Sequence, residues 1–205
     1  MNRRLVVLFC VLISTISLWG CSTVPQGAGW TTLIDGSKGL DNWNLIGDAN
    51  WRSESNAIVA DKGAGGFMVS KNSYQDFTIY AEFWAATDTN SGIFIRTSDP
   101  KKIGADNSYE VNIWDIRPDP SYGTGAIVNF AKVPVPITNR VGGQWNTMEV
   151  VAKGSQITVK LNGTTTASLS NDKYSGGPFA LQYGLGVNNA QGGPIKWRKV
   201  MIKEN

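Results

Sequence analysis

The clearest pattern in the chain is strict alternation. Residues 77–84 read FTIYAEFW: Phe77, Ile79, Ala81 and Phe83 point one way, and Thr78, Tyr80, Glu82 and Trp84 the other. That period of two is the signature of a β-strand. Shorter runs of the same kind occur at residues 30–34, 51–54, 57–60, 67–69, 126–130, 147–153, 157–162, 164–169, 179–183 and 195–203, and residues 40–43 read as a further short segment. Turn signals separate them, among them Asp35-Gly36-Ser37 and Asn162-Gly163. Pro134 and Pro136 keep residues 132–137 extended, at an edge or in a loop. No stretch carries a convincing helical period, and there is no internal repeat. About a dozen short strands at regular spacing predict an all-β domain, a two-sheet sandwich or jelly roll.

Two of these runs carry polar groups that a purely structural strand does not need. In residues 92–96 the alternation puts Phe94 and Arg96 on one face, with Ile93 and Ile95 on the other. In residues 108–116, Tyr109, Val111 and Ile113 form an apolar face, while Glu110, Asn112 and Trp114 share the opposite one. A carboxylate, an amide and an indole in one row suit a sugar, whose hydroxyls need hydrogen bonds and whose C–H face lies well on an aromatic ring. The row also fits a solvated sheet face that happens to hold a Glu. The loop at residues 117–123, stiffened by Pro118 and Pro120, runs beside this row. The Gly-rich bend at residues 63–66 precedes no helical pattern, which excludes a phosphate-binding loop.

Composition narrows the picture. The 205 residues include eight Trp and 23 Gly, and only 17% are charged, which favours a turn-rich β domain over disorder or a helical bundle. The first twenty residues read as an export signal: Asn2, Arg3 and Arg4, then an apolar run over 5–18 that is too short for a good transmembrane helix. Removing Arg3 and Arg4 leaves 17 basic against 16 acidic residues, with no basic cluster and so no electrostatic footprint for nucleic acid. The leader ends at Leu18-Trp19-Gly20-Cys21. This resembles the lipobox of bacterial lipoproteins, in which cleavage before the Cys exposes a thiol for diacylation; an ordinary signal peptide with a nearby Cys is the alternative. The expected organisation is a signal peptide over 1–20, lipidated Cys21 with a small polar tether over 21–28, and one domain over 29–205. Cys10 lies in the leader and Cys21 at its edge, so the mature domain has no disulfide to draw on. By analogy with the bacterial sorting rule, Ser22 next to Cys21 places the protein in the cell envelope at the outer membrane, held by its lipid alone.

Seven segments in order carry a stronger resemblance: LIDGSKGLDNW, SYQDFTIYAEF, NSGIFIR, SYEVNIWD, TGAIVNF, GQWNTMEVVAKGSQITVKLNG and FALQYG. Together they resemble the 3-keto-disaccharide hydrolase domain family over roughly residues 30–203. The resemblance implies a concanavalin A-like jelly-roll sandwich of two antiparallel sheets, and cleavage of glycosides whose sugar is oxidised to a ketone at carbon 3. It places family positions on Asn90, Ser91, Gly92 and Arg96, on Tyr109, Glu110, Val111, Asn112 and Asp115, on Leu181 and Gln182, and on Trp197, Arg198 and Lys199. The chain departs from the family pattern at Asn112, at Lys199, and after Gln182, where a His is usual; it has no His at all. An imidazole metal site is therefore excluded, and oxygen ligands alone favour a hard cation such as calcium.

The resulting expectation is a carbohydrate partner and a reaction that begins with removal of the acidic carbon-2 hydrogen. Glu110 is the expected base, Asp115 the second carboxyl group, and Arg96 the group that stabilises the oxyanion. Asn90, Asn112, Trp114, Gln182 and Arg198 are expected to bind substrate. For Arg96 a salt bridge to Glu110 or Asp115 is the structural alternative. Glu110, Asn112 and Asp115 also match the spacing of jelly-roll glucanases, provided a bulge after Asn112 brings both carboxyl groups to one face. A lectin-like binding module and an envelope scaffold complete the alternatives.

Overall fold

A computed structural model describes residues 24–205; the expected leader, Cys21 and the start of the tether lie outside the described residues. Thirteen strands follow one another in the chain. They are β1 (Trp30–Asp35), β2 (Trp43–Gly47), β3 (Arg52–Glu54), β4 (Ala57–Ala60), β5 (Gly66–Ser70), β6 (Phe77–Ala85) and β7 (Ser91–Ile95). After these come β8 (Tyr109–Ile113), β9 (Trp145–Lys153), β10 (Gln156–Leu161), β11 (Thr164–Ser170), β12 (Ala180–Tyr183) and β13 (Ile195–Glu204). Among the described residues the helical content is three short 3₁₀ turns, at Leu40–Asn42, Pro120–Tyr122 and Val187–Asn189.

The strands form two antiparallel sheets. The larger has eight strands in the order β11-β10-β9-β6-β13-β4-β3, with β1 paired to β13. The smaller has five, in the order β2-β5-β12-β7-β8. The alternation of β6 explains the layering: Phe77, Ile79, Ala81, Phe83 and Ala85 enter one core with Ile93, Ile95, Tyr109, Val111 and Ile113 from the other sheet. Burying such side chains is the main favourable term in folding. A disulfide-free domain depends on it, with Phe83 against Trp197 and Trp43 edge-on to Phe179 inside that core.

Turn chemistry fixes the register. Asn162 and Gly163 take φ of 50° and 81°, and Leu161 pairs with Thr164, giving a two-residue hairpin whose twist matches its strands. Ser55 and Asn56 do the same between β3 and β4, with φ of 49° and 59°.

Two local expectations are corrected. Residues 40–43 begin as a 3₁₀ turn, and the strand there is β2, shifted toward the C-terminus. Residues 126–130 are not a strand: Asn129 at φ 66° curls the chain so that Ile127 bridges both Val111 and Ala131. This segment still completes the sheet beside β8. Val128 N donates to Glu110 O at 2.9 Å, Asn112 N to Ala126 O at 3.0 Å and Gly125 N to Asn112 O at 2.9 Å.

Candidate functional site

The face of the five-stranded sheet turned away from the core carries the candidate chemistry. Pairing sets the rows across it. Glu110 lies opposite Phe94, which lies opposite Ala180 and then Val69. In the next row Asn112 lies opposite Gly92; Gln182, one residue past the Leu181–Ile93 pair, flanks Gly92 on its other side and pairs with Phe67 and then Ile46. Val69, Phe94 and Ala180 make a small second cluster with Ile46, Phe67 and Ile103.

Gly92 lies at the centre of this face, with its neighbours packed closely over it. A Cβ there would stand 3.0 Å from Val111 O, 3.3 Å from Phe94 Cε2 and 3.6 Å from Glu110 Cγ. Phe94 and Glu110 cover Gly92, and Asn112 and Gln182 flank it in the row. Asn112 donates its amide to Tyr122 O at 2.6 Å, which leaves its Oδ1 buried without a partner. Gln182 Oε1 and Trp114 Nε1 are also buried and unpartnered. Buried polar atoms are seldom left unsatisfied, so the oxygens of Asn112 and Gln182, on either side of Gly92, and the indole N–H of Trp114 are unused hydrogen-bonding capacity.

Glu110 is 8% exposed. Burial pushes its carboxyl group up to about 7, and the charge of Arg117 holds it back from rising further. Arg117 was not among the expected site residues. It follows the end of β8 in a loop and lays its guanidinium over the Trp114 ring, 5.5 Å from the centroid. The one sequence signal for it was its place in the stiffened loop beside the polar row.

Three expected site residues are elsewhere. Arg96 is 1% exposed and sits just past the end of β7 at φ 53°. Its Nε and Nη2 donate to Gln75 O at 2.9 and 2.7 Å, its Nη1 to Gly154 O at 2.8 Å, and its Nη2 meets Asp76 Oδ1 at 3.2 Å. It is committed to a structural clamp, and neither an oxyanion role nor a salt bridge to Glu110 or Asp115 survives. Asp115 turns away from the face once β8 has ended. It accepts from Thr124 Oγ1 at 2.6 Å, Val141 N at 2.9 Å and Gly142 N at 3.0 Å. The β7–β8 pairing runs through to Ile113 without a register shift, so the bulge that the glucanase spacing needed is not formed. Arg198 lies at a bulge in β13 on the other sheet, with Nε 2.5 Å from Glu82 Oε2 and its guanidinium 4.2 Å from the Trp145 ring. Asn90 does border the site, donating to Leu185 O at 2.7 Å.

Next to Gln182 on this face lies an open cavity of about 420 Å³ with mixed walls, bordered by Ile46, Phe67 and Ile103 and by Asn90, Lys101 and Asn189. Among the described residues no group of three or more His, Cys, Asp or Glu side chains could hold a metal ion. Glu110 with two amide oxygens supplies one charge and at most four side-chain oxygens, short of the six to eight that calcium takes, so these residues do not form the hard-cation site that oxygen ligands would favour.

Comparison with known proteins follows this geometry. The model of the 3-keto-alpha-glucoside-1,2-lyase-like domain matches residues 29–203. Among solved structures, a Parabacteroides distasonis protein described as a candidate glycosyl hydrolase is 18% identical, with a TM-score of 0.70 over 86% of this chain and 94% of its own. The carbohydrate-binding module CBM66 of Bacillus subtilis is 16% identical, with a TM-score of 0.53 over 86% and 96%. The exoplasmic/lumenal domain of VIP36, solved with Ca²⁺ and mannose, is 11% identical, with a TM-score of 0.59 over 85% and 89%. At these identities the likeness shows the shared concanavalin A-like jelly roll. No curated protein matches the sequence.

Proposed function

The chain belongs to the 3-keto-alpha-glucoside-1,2-lyase-like family, and from that premise we propose that it cleaves 3-keto-glycosides with Glu110 as the base. The observation that carries the reading is one buried carboxyl group, pushed up to about 7, on a sheet face that also carries the unpartnered amide oxygens of Asn112 and Gln182. The carbonyl at carbon 3 acidifies the carbon-2 hydrogen. Glu110 takes that proton, and an enolate forms. The enolate then makes the C1=C2 double bond, restores the carbonyl and expels the group on carbon 1; water adds to the product in a hydrolytic cycle. Asn112 Oδ1 and Gln182 Oε1 accept from sugar hydroxyls, Trp114 Nε1 donates, and Arg117 offsets the negative charge in the site. Arg117 thus takes the part first expected of Arg96. Asp115 holds the loop that presents Trp114 and Arg117.

The test compares a 3-keto-glucoside with its parent glucoside. Release of the aglycone from the keto compound alone is expected, and Glu110→Gln should lower the rate by about 10²-fold or more while binding persists. Cleavage of the parent glucoside would overturn proton abstraction at carbon 2. The unpartnered amides also suit a lectin-like module: a rise in melting temperature with either sugar and no cleavage of either would establish that reading. We further propose residues 1–20 as a leader and Cys21 as the lipid-bearing residue that holds the domain over 29–205 at the bacterial outer membrane. A Cys21→Ser protein that stays in the membrane fraction would refute it.

A further inference from the structure

We infer that the outer face of the larger sheet lies against the membrane, on anionic phospholipid head groups, and that the face carrying Glu110 is thereby turned away from the bilayer. The inference rests on the proposal that Cys21 bears the lipid. Val24 is half-buried and borders a cavity of about 450 Å³, whose other walls include Asp35, Lys38, Glu82, Arg198 and Lys199. Val24 follows Cys21 by three residues. An extended chain spans at most about 3.6 Å per residue, so the lipid-bearing residue stands within about 11 Å of Val24. So short a link leaves the domain little choice of the side it presents to the lipid.

Alternation builds this face. On β6, Phe83 enters the core and its neighbours Glu82 and Trp84 point outward; on β13, Trp197 enters the core between Lys196 and Arg198. Pairing places Lys196, Trp84 and Trp145 in one row across β13, β6 and β9. The bulge after Trp197 sets Arg198 and Lys199 against Glu82 in the next row. Trp145 is 38% exposed beneath the Arg198 guanidinium, and Lys196 Nζ stands 4.7 Å from the centroid of the Trp84 ring.

Charge selects the partner. Asp35 is taken by Lys199 at 3.1 Å, Glu82 by Arg198 at 2.5 Å and Glu149, one row further on, by Lys160 at 2.8 Å. Lys38 and Lys196 form no ion pair among the described residues, so positive charge is left over around the cavity and the tryptophans. Ammonium groups beside indoles suit the boundary between water and lipid, where the cation meets phosphate and the indole sits among the head groups. A sugar would seek the faces of these indoles, yet a cation already lies on each ring. The two sheets enclose one core, so a bilayer against the larger sheet leaves Glu110, Asn112 and Gln182, on the far side of the smaller one, open to substrate.

The experiment places the full chain, purified in detergent, in vesicles of phosphatidylcholine and phosphatidylglycerol with brominated acyl chains, and reads tryptophan fluorescence. Bromine quenches indoles that sit in the interface. Fluorescence should fall, and Trp145→Phe should remove about half of the fall or more. Lys38→Gln combined with Lys196→Gln should restore most of the signal, as should pure phosphatidylcholine. A fall that Trp145→Phe leaves unchanged, or one that ignores both the lysines and the lipid charge, would overturn the inference. Flotation with the vesicles reads the anchor separately. A protein that floats with no quenching at Trp145 supports the lipid on Cys21 and overturns the face. One that floats only with phosphatidylglycerol, and binds about tenfold less once both lysines are replaced, supports the face and overturns the lipid anchor. One that never floats overturns both.

Discussion

At the scale of the residue, the cost of the site is concentrated in Glu110. Its carboxyl group is raised from 4.5 to about 7 by burial, so the folded state holds a proton that the unfolded chain has released across that interval. Stability should therefore be greatest below about 4.5 and decline as pH rises toward 7, by about 3 kcal/mol in all at 1.36 kcal/mol per pH unit. Glu110→Gln should flatten this slope and be more stable than the parent protein at pH 8, as urea midpoints across pH would record. With Glu110 as the proposed base, which works ionised, kcat/KM for a 3-keto-glucoside should follow the opposite course and rise through about pH 7. Arg117 restrains the rise of the Glu110 pKa. Arg117→Met should push the rising limb to higher pH, whereas a merely structural role would lower the plateau without moving the limb.

At the scale of the element, the site depends on where strands stop. Gly92 sits inside β7, where no bend requires it, and a side chain there would press on Val111 O, Phe94 and Glu110. Gly92→Val should abolish binding of a 3-keto-glucoside while β7 and β8 remain paired, so a calorimetric titration would be flat for a protein with an unchanged far-ultraviolet spectrum. The same boundaries explain what the sequence disclosed. Alternation writes the core face of a strand directly, so β6, β9, β10 and β13 were legible, as was the row of Glu110 and Asn112 on regular β8. Alternation says nothing once the strand ends. Arg96 and Asp115 each lie just beyond one, and they turn to the carbonyls and amides that satisfy them. Arg198 was misplaced for a related reason. It came from family pattern, and its sheet could be known only once β13 was seen to lie beside β6. Arg117 lies in a loop with no period to read, and Phe67 joins the site through the pairing of β5 with β12, which are far apart in sequence.

At the scale of the whole molecule, Arg96 is a tie between the sheets. It leaves β7 of the smaller sheet and binds Gln75 and Asp76 at the start of β6 and Gly154 at the β9–β10 turn of the larger one. A fully buried guanidinium that satisfies three carbonyl oxygens replaces, in function, the cross-link that the cysteines do not provide. Arg96→Met should leave those oxygens unpaired and cost about 3–5 kcal/mol, seen as a lower urea midpoint at unchanged slope. This structural role is separable from the site at Glu110, because the guanidinium of Arg96 is bound to Gln75, Asp76 and Gly154.

The position of β13 has a consequence in time. This strand, over Ile195–Glu204, lies in the middle of the larger sheet and pairs with β1, β4 and β6, all made long before it. During synthesis those three strands have no neighbour on one side until the ribosome has passed residue 204. The larger sheet therefore closes only after the whole domain has been made, and its central pairings are among the last to form.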